Sequence, residues 1–176
     1  MQAPSPTDES RVSGAARFDD TLDPPGGARM RRSPAAWRLA WRALRVVVWV
    51  RWSLWHRSYA SVRADLRRRH RPNDAGWPAG ERGLAGEPRA LAWAVRAAAR
   101  RVPRASCLTQ SLALEALLVQ AGHPAALRIG VARKDDGAFE AHAWVESEGR
   151  VLIGRLSDLE RFAPLPAGST DRLDLD

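Results

Sequence analysis

The chain contains a single cysteine, Cys107, in 176 residues. It can form no internal disulfide. A cysteine-rich zinc site is also excluded, because such sites take several thiolates, and no metal or cofactor is expected. Long apolar runs are missing too. The longest uncharged one is Val46-Val-Val-Trp-Val50, far short of the roughly 20 residues that cross a bilayer. The first thirty residues hold no apolar run, so no secretory segment is evident there, and a cytoplasmic protein is expected. Lysine is almost absent: Lys134 is the only one among 28 basic residues. No internal repeat is visible.

The net charge of +8 is unevenly placed. Residues 1–30 carry three Arg against five acids, residues 31–83 thirteen Arg against three acids, and residues 84–176 twelve basic and twelve acidic residues. The basicity therefore belongs to one middle segment. So uniform an arginine bias reflects genome composition as readily as phosphate binding. No nucleic-acid-binding fold is recognisable, and phosphate affinity alone is nonspecific. No nucleic-acid partner is expected.

Residues 1–34 are rich in Pro, Gly, Ser and Asp and lack periodic apolar positions, which predicts a disordered N-terminal segment. Ser33-Pro34 reads as a helix start, with Ser as N-cap and Pro at the first helical position. From there Trp37, Trp41, Leu44, Val48, Trp52 and Trp55 recur at spacings of three and four. That is one helical stripe, with Arg38, Arg42 and Arg45 beside it. A basic Trp/Arg-rich helical region over residues 35–71 follows, ended by Pro72. Its stripe has three readings: packing on the core, an interface for a partner protein, or a peripheral contact with a membrane surface. Residues 72–88 are dense in Gly and Pro and read as a linker.

Residues 89–165 read as the core. A helix is expected from about Arg89 to Arg101, before Pro103. Another runs from Ser106 to Ala121, with Gly122 just past its end. The apolar period then changes to two. Ala126–Ala132, Ala138–Glu146 and Arg150–Ile153 read as strands, joined by turns at Asp136-Gly137 and Glu148-Gly149. Residues 166–176 form a polar tail. Helices followed by an antiparallel meander make an α+β architecture.

Cys107 lies one residue inside a helix if Ser106 is its N-cap. Unpaired amides and the helix dipole favour thiolate there. The amides of Cys107 and Leu108 could also donate to an oxyanion. Cys107, Ser111, Leu114 and Leu118 share a helix face, so the sulfur is expected to point toward the sheet that carries His142. An ordinary buried thiol is the plain alternative. His142 alternates with Ala141 and Ala143 and shares a strand face with Glu140, Trp144 and Glu146. It suits a base for the thiol, or equally an exposed histidine on a solvated face.

Three blocks carry more than spacing. Ser106-Cys-Leu-Thr-Gln-Ser-Leu-Ala-Leu-Glu-Ala-Leu-Leu118, Ala126-Leu-Arg-Ile-Gly-Val131 and Ala141-His-Ala-Trp-Val-Glu146 together resemble the lasso peptide biosynthesis B2 proteins. These are leader peptidases of the transglutaminase-like, papain-like superfamily. The resemblance covers roughly residues 84–165. It implies a cysteine peptidase that removes the leader from a lasso precursor peptide, with Cys107 as nucleophile and His142 as base. The freed amine would then be joined to an acidic side chain by a separate ATP-dependent lasso cyclase. No leader-binding module is evident in this chain, so a separate leader-binding protein is expected as a partner.

The resemblance also implies a third member, an Asp near the end of the strand after the histidine. With a two-residue turn at Glu148-Gly149, Ser147 pairs with Arg150, which sets Arg155 opposite His142. An arginine cannot accept the imidazole N–H. Asp158, the nearest downstream carboxylate, is the expected third member. Glu146, Glu148, a backbone carbonyl and no third member at all are alternatives. Acyl transfer of transglutaminase type uses the same thioester and stays open. So does a non-catalytic scaffold that binds the precursor or a membrane, which Arg155 opposite His142 would favour. Substrate-binding residues are not assigned; Gln110 and Trp144 lie near the site by pattern.

Overall fold

The computed structural model describes residues 33–70, 77, 82–84 and 86–166. Helix α1 spans Pro34–His56, α2 Tyr59–Arg69, α3 Pro88–Ala99 and α4 Cys107–Gln120. Strands β1 Ala126–Arg133, β2 Phe139–Ser147 and β3 Arg150–Ile153 follow, then a 3₁₀ turn at Leu159–Arg161 and a short β4, Ala163–Pro164. The sheet order is β3-β2-β1-β4, antiparallel throughout. The expected N-terminal segment (apart from its last two residues), most of the expected linker and all but the first residue of the expected tail lie outside the described residues.

The expected N-caps form. Ser33 Oγ accepts from the Ala36 amide at 3.1 Å, with Pro34 in the first turn. The expected helical region is built of two helices. Arg57 is extended, and Ser58 starts α2 as its N-cap. A serine ready to cap competes with helix continuation, which the apolar period alone does not reveal. Ser106 caps α4 by accepting from Thr109 N at 3.3 Å, and Gly122 takes the left-handed conformation just beyond it, φ +82°.

α4 is the hub. Leu112, Leu114, Leu117 and Leu118 are fully buried. α1 and α3 pack on one side of it, the sheet on another, and α2 along it. Every residue from Ser111 to Leu118 is buried, so the middle of this helix has no solvent face. Arg63 of α2 reaches Glu115 of α4 with Nη2 at 2.9 Å and Nε at 3.4 Å. Two such bonds in fork geometry fix α2 against the cysteine helix.

α1 buries Ala36, Leu39, Ala43, Val47, Val50 and Ser53. Trp37, Trp41, Val48, Trp52 and Trp55 lie on the opposite side and are 65, 64, 48, 63 and 71% exposed. The core-packing reading of the tryptophan stripe is therefore corrected. Small and branched side chains let α1 approach α3 and α4 closely, and these four indoles are left outside, while Leu44 of the stripe and Trp49 pack against the core.

Candidate active site

Cys107 opens α4 in a position where the first amides of the helix have no partner in the preceding turn. Two backbone amides donate to its sulfur: Leu108, in its own helix, and Ala143, in β2. The second is available because β3 pairs β2 only from Val145 onward. Beyond that point the edge of β2 is open, and the N-terminus of α4 fills the gap. The Cys107 thiol and the His142 imidazole are hydrogen-bonded to each other. The two residues picked out in the sequence, 35 positions apart, thus meet.

Each ring nitrogen of His142 has a task. Nε2 lies 2.7 Å from the carbonyl oxygen of Gly154. A carbonyl only accepts, so Nε2 carries the proton, and in the neutral ring Nδ1 is left with a lone pair for the thiol. The ring is buried and stacks on Trp144, centroids 6.3 Å apart at 15°, with Phe162 tilted against it at 5.4 Å. Gly130, paired with His142 across the sheet, makes room for both aromatics: a Cβ there would meet each at 3.0 Å.

Burial works against charge on both groups, pushing the thiol up and the imidazole down. Their mutual hydrogen bond prevails, helped for the thiol by the Ala143 and Leu108 amides and for the imidazole by the Gly154 carbonyl. The Cys107 pKa falls below its ordinary value and that of His142 rises above it. The two shifts favour a thiolate–imidazolium pair, the reactive form of a cysteine nucleophile.

Asp158 is not the orienting group. Its Oδ2 accepts from Arg161 Nε at 2.6 Å, and its Oδ1 is buried with no hydrogen-bond partner among the described residues. Arg161 is held from the other side by Glu140 at 2.5 Å. Arg155 does not stand opposite His142 either. Ser147 pairs with Arg150 and Glu146 with Val151 as expected, but Val145 pairs with Ile153. Leu152 is the extra residue of a bulge. The chain then turns at Gly154, φ +77°, and presents its carbonyl to the imidazole. The scaffold reading loses the support that an opposed arginine would have lent it.

Gly154 was missed in the sequence, although a lone glycine closing a strand signals close backbone approach. A Cβ there would meet Ala143 O at 2.5 Å and Trp144 Cβ at 2.8 Å. Gln110 donates to the Ala105 carbonyl at 3.2 Å, tying down the approach to α4. Trp144 is buried and donates to Glu146 at 2.8 Å, so it supports His142 and does not line the opening.

An open cleft of about 630 Å³ lies over the sulfur. One wall is Ser106–Thr109, Ile129 and Ala141–Ala143, and the other is the end of α1 and start of α2, from Arg51 to Tyr59. The basic helical region thus builds half of the cleft, a role that its composition did not reveal. The lining includes Arg51 and Arg57 and no carboxylate.

A half-buried thiol at a helix N-terminus, with a histidine on the adjoining strand held by a carbonyl, is equipped for nucleophilic acyl chemistry. The family model described as "Transglutaminase-like superfamily" matches residues 40–167, from within α1 to just past the last described residue. No curated protein and no solved structure gives a match. The superfamily includes cysteine peptidases and acyltransferases. Its match runs over most of the chain, including the helices, cleft and sheet around the Cys107–His142 pair, and on this ground the chain belongs to the transglutaminase-like superfamily.

Proposed function

We propose that the protein is a cysteine peptidase that removes the leader from a ribosomally made lasso precursor peptide. The observation that carries the chemistry is the hydrogen-bonded Cys107–His142 pair at the foot of an open cleft. The three sequence blocks around Cys107, Ile129 and His142 support the narrower substrate class. Cys107 Sγ attacks the carbonyl of the last leader residue. As charge passes from sulfur to the carbonyl oxygen, the amides at the start of α4, those of Cys107 and Leu108, donate to it. His142, now protonated, gives its proton to the leaving amine, and the thioester forms. Water, deprotonated by His142, then cleaves the thioester and regenerates the thiol. A separate protein presents the leader, and a separate cyclase uses the freed amine.

The test is mass spectrometry of a precursor peptide incubated with this protein and its leader-binding partner. Cleavage at one position, with one water added across the two products, is expected from wild type and not from Cys107→Ala. A crosslinked product would instead assign the thioester to acyl transfer. An intact precursor in both reactions, with leader binding demonstrated, would overturn the peptidase assignment.

A further inference from the structure

The outer face of α1, apart from Trp55 at the cleft, serves no purpose in the chemistry described above. It carries Trp37, Trp41, Val48, Trp52 and Trp55, each at least 48% exposed. At 1.5 Å per residue, the stripe from the first to the last of these is about 27 Å long. The whole of α1 holds no Asp or Glu, and Arg45 sits among the tryptophans on the exposed side. Exposed apolar stripes of this extent mark a surface made to be covered.

We propose that this face docks the protein onto an anionic lipid bilayer, with α1 lying in the headgroup plane. The chemistry of the face selects this occupant. Indole rings partition to the bilayer interface, where the ring body is apolar and the N–H meets headgroups. Arginine adds attraction to anionic lipid, and an acid-free helix offers nothing to repel it. The tryptophans are spaced along a single convex line, which suits a plane. Protein hot spots cluster instead at the centre of a packed patch. No described helix is long and apolar enough to cross a membrane, so the helix rests on the surface and does not insert through it. Trp55 also lines the cleft over Cys107. A docked protein therefore holds the mouth of its cleft at headgroup level, within reach of a peptide lying on the same surface. The docking does not depend on the peptidase reading.

The test is co-sedimentation of the full chain with vesicles of phosphatidylcholine containing phosphatidylglycerol, against vesicles of phosphatidylcholine alone. Binding is expected to the anionic vesicles and to be lost at high salt. The quadruple variant W37A/W41A/W52A/W55A is expected to lose at least tenfold in partitioning. Arg45→Gln is expected to lose about fivefold on anionic vesicles, from about 1 kcal/mol per surface arginine. Circular dichroism checks that the variants fold. Should the quadruple variant fail to fold, brominated lipid decides on the wild type. Quenching of the exposed tryptophans, with emission from buried Trp77 and Trp144 kept, supports docking, and no quenching overturns it. Undiminished binding by a folded quadruple variant overturns the proposal. So does a solution dimer that those substitutions abolish while anionic vesicles leave it intact, which would make the face a contact between two copies.

Discussion

Replacing Gly154 with Ala is expected to damage both stability and catalysis, for separable reasons. Its φ of +77° lies in the left-handed region, where a Cβ costs about 1–2 kcal/mol. Its surroundings add more. The new Cβ would lie 2.5 Å from Ala143 O and 2.8 Å from Trp144 Cβ, both on the strand that carries His142. Backbone cannot give way as a flexible side chain can, so overpacking adds about 1–3 kcal/mol. Gly137 supplies the control. Its φ is +83°, and a Cβ there meets nothing within 4 Å. Gly137→Ala therefore carries the conformational term alone. Urea denaturation of both variants is expected to show Gly154→Ala less stable than Gly137→Ala by about 1–3 kcal/mol. A displaced Gly154 carbonyl also releases the Nε2 proton of His142. The loss of one such hydrogen bond, about 1.4 kcal/mol, is about tenfold in kcat/KM, while Gly137→Ala leaves kcat/KM unchanged. Equal stabilities, or full activity in Gly154→Ala, would refute the assignment of this carbonyl as the support of His142.

The rate is expected to be bell-shaped in pH. The acid limb marks protonation of Cys107, below the ordinary thiol value of 9.0, and the alkaline limb marks proton loss from His142, above 6.5. Rates of iodoacetamide alkylation read the thiol directly. His142→Ala is expected to move that titration upward, and an unmoved titration would deny the pair. Asp158→Asn is expected to keep kcat/KM within about threefold, because its carboxylate faces Arg161 and not His142; a hundredfold loss in steady-state kinetics would restore it to the site. Glu115→Ala strands Arg63 beside the cysteine helix. It is expected to lower stability by about 2–4 kcal/mol, somewhat less than a fully buried pair because Arg63 keeps some solvent, as read from the shift in denaturation midpoint.

Much of the fold was legible because local chemistry decided it. Ser33 and Ser106 are caps by virtue of their own hydroxyls. Gly122 ends a helix because it alone among its neighbours takes a positive φ without strain. The change of apolar period near Ala126 marked the passage from helix to sheet, and Glu148-Gly149 turned one strand into the next. The interruption at Arg57-Ser58 was not legible, since the apolar spacing runs straight through it.

The sequence by itself determined the α+β order of elements, the place of Cys107 at a helix N-terminus, and His142 on the following central strand. These follow from periodicity, capping and turn chemistry, which act over a few residues. Tertiary structure decided the rest. One bulge at Leu152 moved the register by a residue and put the Gly154 carbonyl where Arg155 was expected. Close packing of Ala36, Leu39, Ala43 and Val47 turned four of the five tryptophans of α1 outward and brought its C-terminal end over the sulfur. Pairing register and helix orientation depend on which surfaces meet in three dimensions, and a linear pattern that fits two faces equally well cannot choose between them.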